Sequence, residues 1–313
     1  MNKSNLAFVF PGQGSQKIGM LSALAEQHPV VQTTFAESSE ALGYDAWDMV
    51  QNGQQEDINL TERTQPLLLT SSIAIWRIWS QEAGAMPAMM AGHSLGEWSA
   101  LVASGAVTFA DAVKLVRMRG AFMQEAVPLG QGAMAAIIGV DDETIRRVCA
   151  EAAGDEVVSA VNYNSPGQVV IAGDAGAVDR AIEGLKAAGA KRAMPLPVSA
   201  PFHTSLMKPA ADRLAEHIEA TSFQSPAVPV VHNVNGQTQS DAAAIKKLMI
   251  EQIYHPVLWV DCMQSLVNGG VNTVVECGPG KVLAGLAKRI DKSLTAFTTD
   301  EPESLTKALA ETN

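Results

Sequence analysis

Residues 89–101 read MMAGHSLGEWSAL, with Ser94 set between Gly92 and Gly96. A short apolar run precedes the serine and a helix-like run follows it. In that setting G-x-S-x-G describes a nucleophile elbow, a strand that bends sharply into a helix and lifts the serine hydroxyl clear of the backbone. The glycines are steric requirements, because side chains at 92 or 96 would crowd a corner that already strains the serine. The N–H of Leu95, at the helix start, is placed to help hold an oxyanion. The alternative is a tight turn that needed small residues.

Serine is a weak nucleophile without a base, and histidine is the usual one. Six histidines are available. His28 precedes a proline in a polar loop, and His217 lies mid-helix in RLAEHIEA, where exposure is expected. His93 is adjacent to the serine, but neighbouring strand residues point to opposite faces, so it cannot easily reach the hydroxyl. His203, His232 and His255 remain, and spacing does not choose among them. A second glycine-rich turn, PGQGSQ, occupies 11–16. It is not a dinucleotide fingerprint, since Lys17 stands where the third glycine is needed, and G-x-x-x-x-G-K-[ST] is absent. Two readings stay open: a tight turn, or a loop whose Gln13 N–H completes an oxyanion hole with Leu95.

These residues need a scaffold. NLAFVF (5–10) and PAMMAG (87–92) read as buried strands closed by glycine-rich turns. PLLLTSSIAIWRIWSQE (66–82), LGEWSALVAS after Ser94, and ADAVKLVRMRGAFMQEA (110–126) read as helices. Strands alternating with helices indicate the α/β class with a parallel sheet. The middle of the chain changes pattern. GAMAAIIGV is a strand, Asp141 and Asp142 offer N-caps for DETIRRVCAEAA, and EVVSAVNYN and QVVIAGD form a hairpin across SPG. The helix AVDRAIEGLKAAG and a proline-limited edge strand KRAMPLPVS follow. The order β-α-β-β-α-β is that of a ferredoxin-like unit. A small domain over 129–199 inserted into a large α/β domain of 1–128 and 200–313 is therefore expected. The last part supplies a helix near 206–220, a strand near 228–234, helices near 241–253 and 258–268, the strand TVVECG and a closing helix.

Bulk properties exclude several classes. With 313 residues, 47% hydrophobic and 18% charged, the chain can bury an ample core without staples. Cys149, Cys262 and Cys277 are odd in number and far apart, which suggests neither a disulfide framework nor a zinc site. No metal and no prosthetic group is expected. The N-terminus lacks the apolar length of a signal peptide, and no stretch approaches a membrane span, so a cytoplasmic protein without membrane contact is expected. A net charge of −11 disfavours nucleic acid. Lys281, Lys288 and Arg289 form a local basic cluster, read either as a solvated face or as a patch for an acidic partner.

FVFPGQGSQ, RTQPLLLTSS, AGHSLGEWSAL, RMRG, GAMAAIIG, NYNSPGQVVIAG, LPVSAPFHTSLMKPA and VVECGPGKVL, taken together, resemble the malonyl-CoA:acyl carrier protein transacylase family of bacterial fatty-acid synthesis. The resemblance runs through the chain in order. It implies an α/β-hydrolase-like large domain with a ferredoxin-like insertion. It also implies Ser94 as nucleophile, His203 as base, Gln13 as second oxyanion donor, and Gln252 as the residue whose carbonyl orients the histidine. Arg119 would hold the malonyl carboxylate, a charge that guanidinium binds bidentately. Gln65 and Asn164 match further active-site positions, and Phe202 the position that leaves little room for an α-methyl group. The implied substrates are malonyl-CoA and the phosphopantetheine thiol of an acidic acyl carrier protein, with no cofactor and a monomeric enzyme. A serine hydrolase and a non-catalytic carrier-binding module are the rival readings. Arg119 argues against the first, and the intact set of Ser94, His203, Gln13 and Arg119 against the second.

Overall fold

In the computed structural model, residues 2–198 and 200–313 are described, with the side chains of residues 2 and 3 left out. The strands among them are β1 (Asn2–Phe10), β2 (Met86–Gly92), β3 (Gly132–Ile138), β4 (Val158–Ser165), β5 (Gln168–Asp174), β6 (Arg192–Pro195), β7 (Val230–Val231), β8 (Thr273–Glu276) and β9 (Thr295–Thr298). They form two sheets. One is parallel throughout, in the order β7-β2-β1-β8-β9. The other is antiparallel, in the order β4-β5-β3-β6.

The parallel sheet is buried on both faces. Phe8 and Phe10 of β1 point into one core with Trp79, Leu67 and Trp98, while Ala7 and Val9 point into another with Val257, Trp259 and Leu286. A strand covered on both sides must be apolar at consecutive positions, which is why LAFVF shows no alternation. The helix Leu95–Ala103 fits under this sheet, its residues Leu95–Leu101 all buried.

The antiparallel sheet packs one face on the helices Asp142–Ala153 and Ala175–Ala187 through Ile137, Ile171, Val148, Leu185 and their neighbours. The first helix begins as its sequence requires, with the Asp141 carboxylate accepting the Thr144 N–H at 2.8 Å. This sheet is tied to the rest of the chain where Val257 exchanges backbone hydrogen bonds with Val161 and Tyr163 at 2.7 and 3.0 Å.

Three elements differ from expectation. The helix expected from Pro66 spans Thr61–Gln81, and Pro66 sits within it. Its first turns are secured by Thr64, whose hydroxyl donates to the Ile58 carbonyl at 2.6 Å, and they carry Gln65 into the interior. The strand expected over 191–199 is limited to Arg192–Pro195 at the sheet edge, where proline cannot donate to a ladder. Ser199 lies outside the described residues. The strand near 228–234 shrinks to Val230–Val231, because His232 and Asn233 are drawn to side-chain partners instead. The chain also forms four helices between Ser22 and Ile58, and β9 and the helix Pro302–Thr312 after the closing helix Val282–Ile290, none of which its motifs announced.

Candidate active site

The adjacent strands β1 and β2 end together, and the loops leaving them supply the floor of the site, as the carboxyl ends of a parallel sheet commonly do. After β2 the chain turns at Ser94, whose φ of 50° and ψ of −108° lie in a region side chains rarely adopt. The glycines explain how the turn is tolerated. A Cβ at Gly92 would lie 1.9 Å from the Gly96 carbonyl carbon, and one at Gly96 would lie 2.0 Å from the Phe10 carbonyl oxygen. A Cβ at Gly12 would meet the His93 carbonyl oxygen at 2.5 Å, so the PGQG loop also lies against the elbow.

Ser94 Oγ lies 2.8 Å from His203 Nε2, and His203 Nδ1 lies 2.8 Å from the Gln252 carbonyl oxygen. A carbonyl accepts only, so Nδ1 carries the proton and Nε2 presents its lone pair to the serine. His203 has a left-handed φ of 64° and is 3% exposed. Burial, and then the Arg119 guanidinium, push its pKa down to about 3. The ring is therefore neutral at ordinary pH, with its Nε2 lone pair directed at the serine, and is a weak base while that depression lasts.

Arg119, on the helix Phe109–Glu125, is 1% exposed. Its Nη1 donates to Gln65 Oε1 at 2.7 Å, and Nη2 donates to Gln252 Oε1 at 2.9 Å and to Ser94 Oγ at 3.2 Å. Burial lowers its pKa to about 10, which leaves the group charged. Arg117, two positions away, faces elsewhere and donates to the Leu42 carbonyl.

A cavity of about 120 Å³ joins these groups, lined by Ser94, His203, Arg119, Gln65, Leu95, Gln13 and Phe202, with Asn162, Met123 and Met134 as further walls. Neither the Leu95 nor the Gln13 backbone N–H has a hydrogen-bond acceptor among the described residues, while the Gln13 side chain donates to Thr61 Oγ1 at 3.4 Å. Asn164 stands just outside this cavity. Its Oδ1 lies 2.7 Å from His93 Nε2, and both side chains line an adjoining hollow of about 240 Å³. His93 lines both this hollow and the cavity around Ser94, and its Nε2 is engaged by Asn164 rather than by the serine oxygen.

The remaining histidines separate by partner. His232 Nδ1 lies 2.6 Å from buried Glu97, and His255 Nδ1 lies 2.9 Å from the Glu251 carbonyl. His28 sits near Glu82, and His217 is exposed beside Phe122. Three polar residues at the site carried no expectation: Asn162, Asn233 and Glu97. Asn233 accepts the Ser94 N–H at 2.8 Å and donates to the Gly92 carbonyl at 2.7 Å, bracing both sides of the elbow. Glu97 had a signal, being the only charge in the otherwise apolar helix LGEWSALVA.

Comparison with known proteins gives one consistent result. The family model described as "acyl transferase domain" matches residues 7–301. A malonyl CoA-acyl carrier protein transacylase of Salmonella typhimurium is 56% identical over 308 residues, covering 98% of this chain and 100% of that one. Among solved structures, a malonyl-CoA:acyl carrier protein transacylase of Xanthomonas oryzae is 51% identical with a TM-score of 0.98, covering 99% of each chain. A malonyl-transacylase in complex with a type II polyketide acyl carrier protein is 52% identical with a TM-score of 0.97, covering 98% of this chain and 99% of that one.

Proposed function

The chain belongs to the acyl transferase domain family and is an acyltransferase, and from that premise we propose that it moves a malonyl group from malonyl-CoA to the phosphopantetheine thiol of an acyl carrier protein. One observation carries the reading: a single serine oxygen sits 2.8 Å from a neutral imidazole and 3.2 Å from a buried guanidinium.

Ser94 Oγ attacks the thioester carbonyl while its proton passes to His203 Nε2. The tetrahedral oxyanion is held by the free amides of Leu95 and Gln13. Collapse breaks the carbon–sulfur bond, and the departing coenzyme A thiolate takes the proton from His203. A malonyl ester on Ser94 remains. The carrier thiol then gives its proton to His203 and attacks that ester, and the serine oxygen leaves and regains the proton. The malonyl carboxylate takes the Nη atoms of Arg119 in place of the oxygens of Gln65 and Gln252. Its negative charge also offsets the guanidinium that depresses His203, so the proper substrate strengthens the base that activates the serine. Phe202, 8% exposed on the cavity wall, narrows the space for an α-methyl group.

The same proposal covers the rest of the assembly. Residues 129–199 form the ferredoxin-like unit, supported by the order β4-β5-β3-β6, and 1–128 with 200–313 form the α/β-hydrolase-like catalytic part. An acidic carrier docks on Lys281, Lys288 and Arg289. This is supported by the helix Val282–Ile290, whose Leu283 and Leu286 line the hollow beside Gln13 and Asn164. The enzyme works as a cytoplasmic monomer. Among the described residues no helix is long and apolar enough to cross a membrane.

The test is mass spectrometry after exposure to malonyl-CoA alone, followed by addition of carrier protein. A malonylated Ser94 peptide that is discharged to malonyl-carrier protein is the expected result. Free malonate in the presence of acceptor indicates a hydrolase, and an unmodified protein indicates a binding module; either sinks the proposal.

A further inference from the structure

Behind the reacting groups lies a carboxylate that the mechanism does not use. Glu97 is fully buried on the helix that starts at the elbow. Three donors converge on its two oxygens: His232 Nδ1 at 2.6 Å, the Asn233 N–H at 3.0 Å and Gln252 Nε2 at 2.7 Å. Two of these donors continue to the elbow. Asn233 accepts the Ser94 N–H, and the Gln252 side chain also donates to the Ser94 carbonyl at 2.9 Å. Gln252 further holds the other two reactive groups, accepting from His203 through its main chain and from Arg119 through Oε1. Its amide thus stands between a guanidinium and a carboxylate, one end on each.

We infer that Glu97 is the positioning residue of this site, a buried anion that fixes Gln252 and Asn233 and through them the nucleophile, the base and the carboxylate-binding arginine. The inference rests on the malonyl-transfer reading above. A serine–histidine pair whose histidine rests on a neutral carbonyl would otherwise have its negative charge nowhere. Here that charge sits one layer back, where it balances Arg119 and leaves the imidazole neutral. A buried carboxylate satisfied by three donors is retained at a cost in desolvation, and a cooperative polar network is the return.

Two full-chain variants separate shape from charge. Glu97→Gln keeps the shape and removes the charge, and its NH2 must face either a fixed donor, the Asn233 N–H or Gln252 Nε2, or a His232 ring switched to its other tautomer. Its single-turnover acylation by labelled malonyl-CoA is expected to slow by about 10–100-fold, while the final stoichiometry of label on Ser94 stays at the wild-type value. Its malonyl-CoA KM is expected to stay level or fall, because Arg119 has lost a competing anion. Glu97→Asp keeps the charge with a shorter reach, and its kcat is expected to lie between those of Glu97→Gln and wild type at an unchanged KM. A general structural lesion would instead lower the stoichiometry or raise KM. Folded Glu97→Gln with wild-type acylation overturns the inference, as does a rise in KM that accounts for the loss. Failure of both variants to fold assigns Glu97 to stability and overturns it too. If wild-type protein takes no label at Ser94, the malonyl-transfer reading fails first, which distinguishes the two.

Discussion

The two sheets of this protein solve different problems. The antiparallel sheet and its two helices bury a set of Ala, Val, Ile and Leu side chains with little polar content, and their helices follow regular amphipathic patterns. Around the parallel sheet the interior also holds Glu97, Arg119, His203, His232, Asn233 and Gln252, all nearly or fully buried. It also holds non-glycine residues in left-handed backbone conformations, Ser94 and His203. Buried charge and backbone strain each cost stability, and they persist only where surrounding packing over-determines them. The larger interior of the parallel sheet, with Trp79, Trp98 and Trp259 fully buried, supplies that packing. The antiparallel sheet adds a wall, through Met134 and Asn162, and leaves the reacting groups to its neighbour.

Perturbing each side tests the division. Ser94→Ala should lower acyl transfer by about 10⁴-fold and abolish the covalent label while the melting temperature stays close to wild type. A persistent label would place the nucleophile elsewhere. The buried neutral histidine should show itself in acid. Its folded pKa of about 3 lies below the unfolded value near 6.5, so the unfolded chain binds the extra proton between those limits. The stability it confers is complete above about pH 6.5 and is lost as pH falls toward 3, a swing on the order of 4–5 kcal/mol. Unfolding free energies from denaturant titrations of wild type and His203→Ala should diverge by this amount between pH 6.5 and about 3, and parallel plots of stability against pH would deny the shift.

Arg119→Ala should reduce malonyl use by about 10²-fold and acetyl use far less, as measured by kcat/KM for the two thioesters. Equal losses would remove the carboxylate-binding role. The smallest effect is expected on the other side of the comparison. Ile171→Val, in the fully buried centre of β5, should cost about 1 kcal/mol of stability and leave single-turnover acylation unchanged. A change in the chemical rate would show that the antiparallel sheet does more than wall the site.

Legibility in the sequence followed the same division. In the antiparallel region most elements are specified locally: the helix Asp142–Ala153 and the strand Gln168–Asp174 have the limits read from the sequence, because caps, period and turn residues all lie within a few positions, while the edge strand stops at Pro195, short of the span expected. The strand Val230–Val231 is shorter than its sequence suggests, since its continuation through His232 and Asn233 is diverted by a carboxylate more than a hundred positions away. The choice of His203 over His232 and His255 came from resemblance to a family, and the geometry that separates them is a matter of partners no spacing reveals. Asn233 is hidden for the same reason, whereas Glu97 stands out in sequence as a charge in an apolar helix but its partners do not.

By itself the sequence determined the alternation of strands and helices, the change of pattern in the middle of the chain, and the elbow, whose two glycines and following helix are neighbours in the chain. Only the tertiary structure decided which histidine meets Ser94, that Arg119 turns inward while Arg117 does not, and that a glutamate one turn beyond the serine becomes the anchor of the polar interior. The physical reason is range. Backbone sterics and hydrophobic period act over a few residues, whereas a hydrogen-bonded buried charge is satisfied by whichever groups the packed chain brings within 3 Å, wherever they stand in sequence.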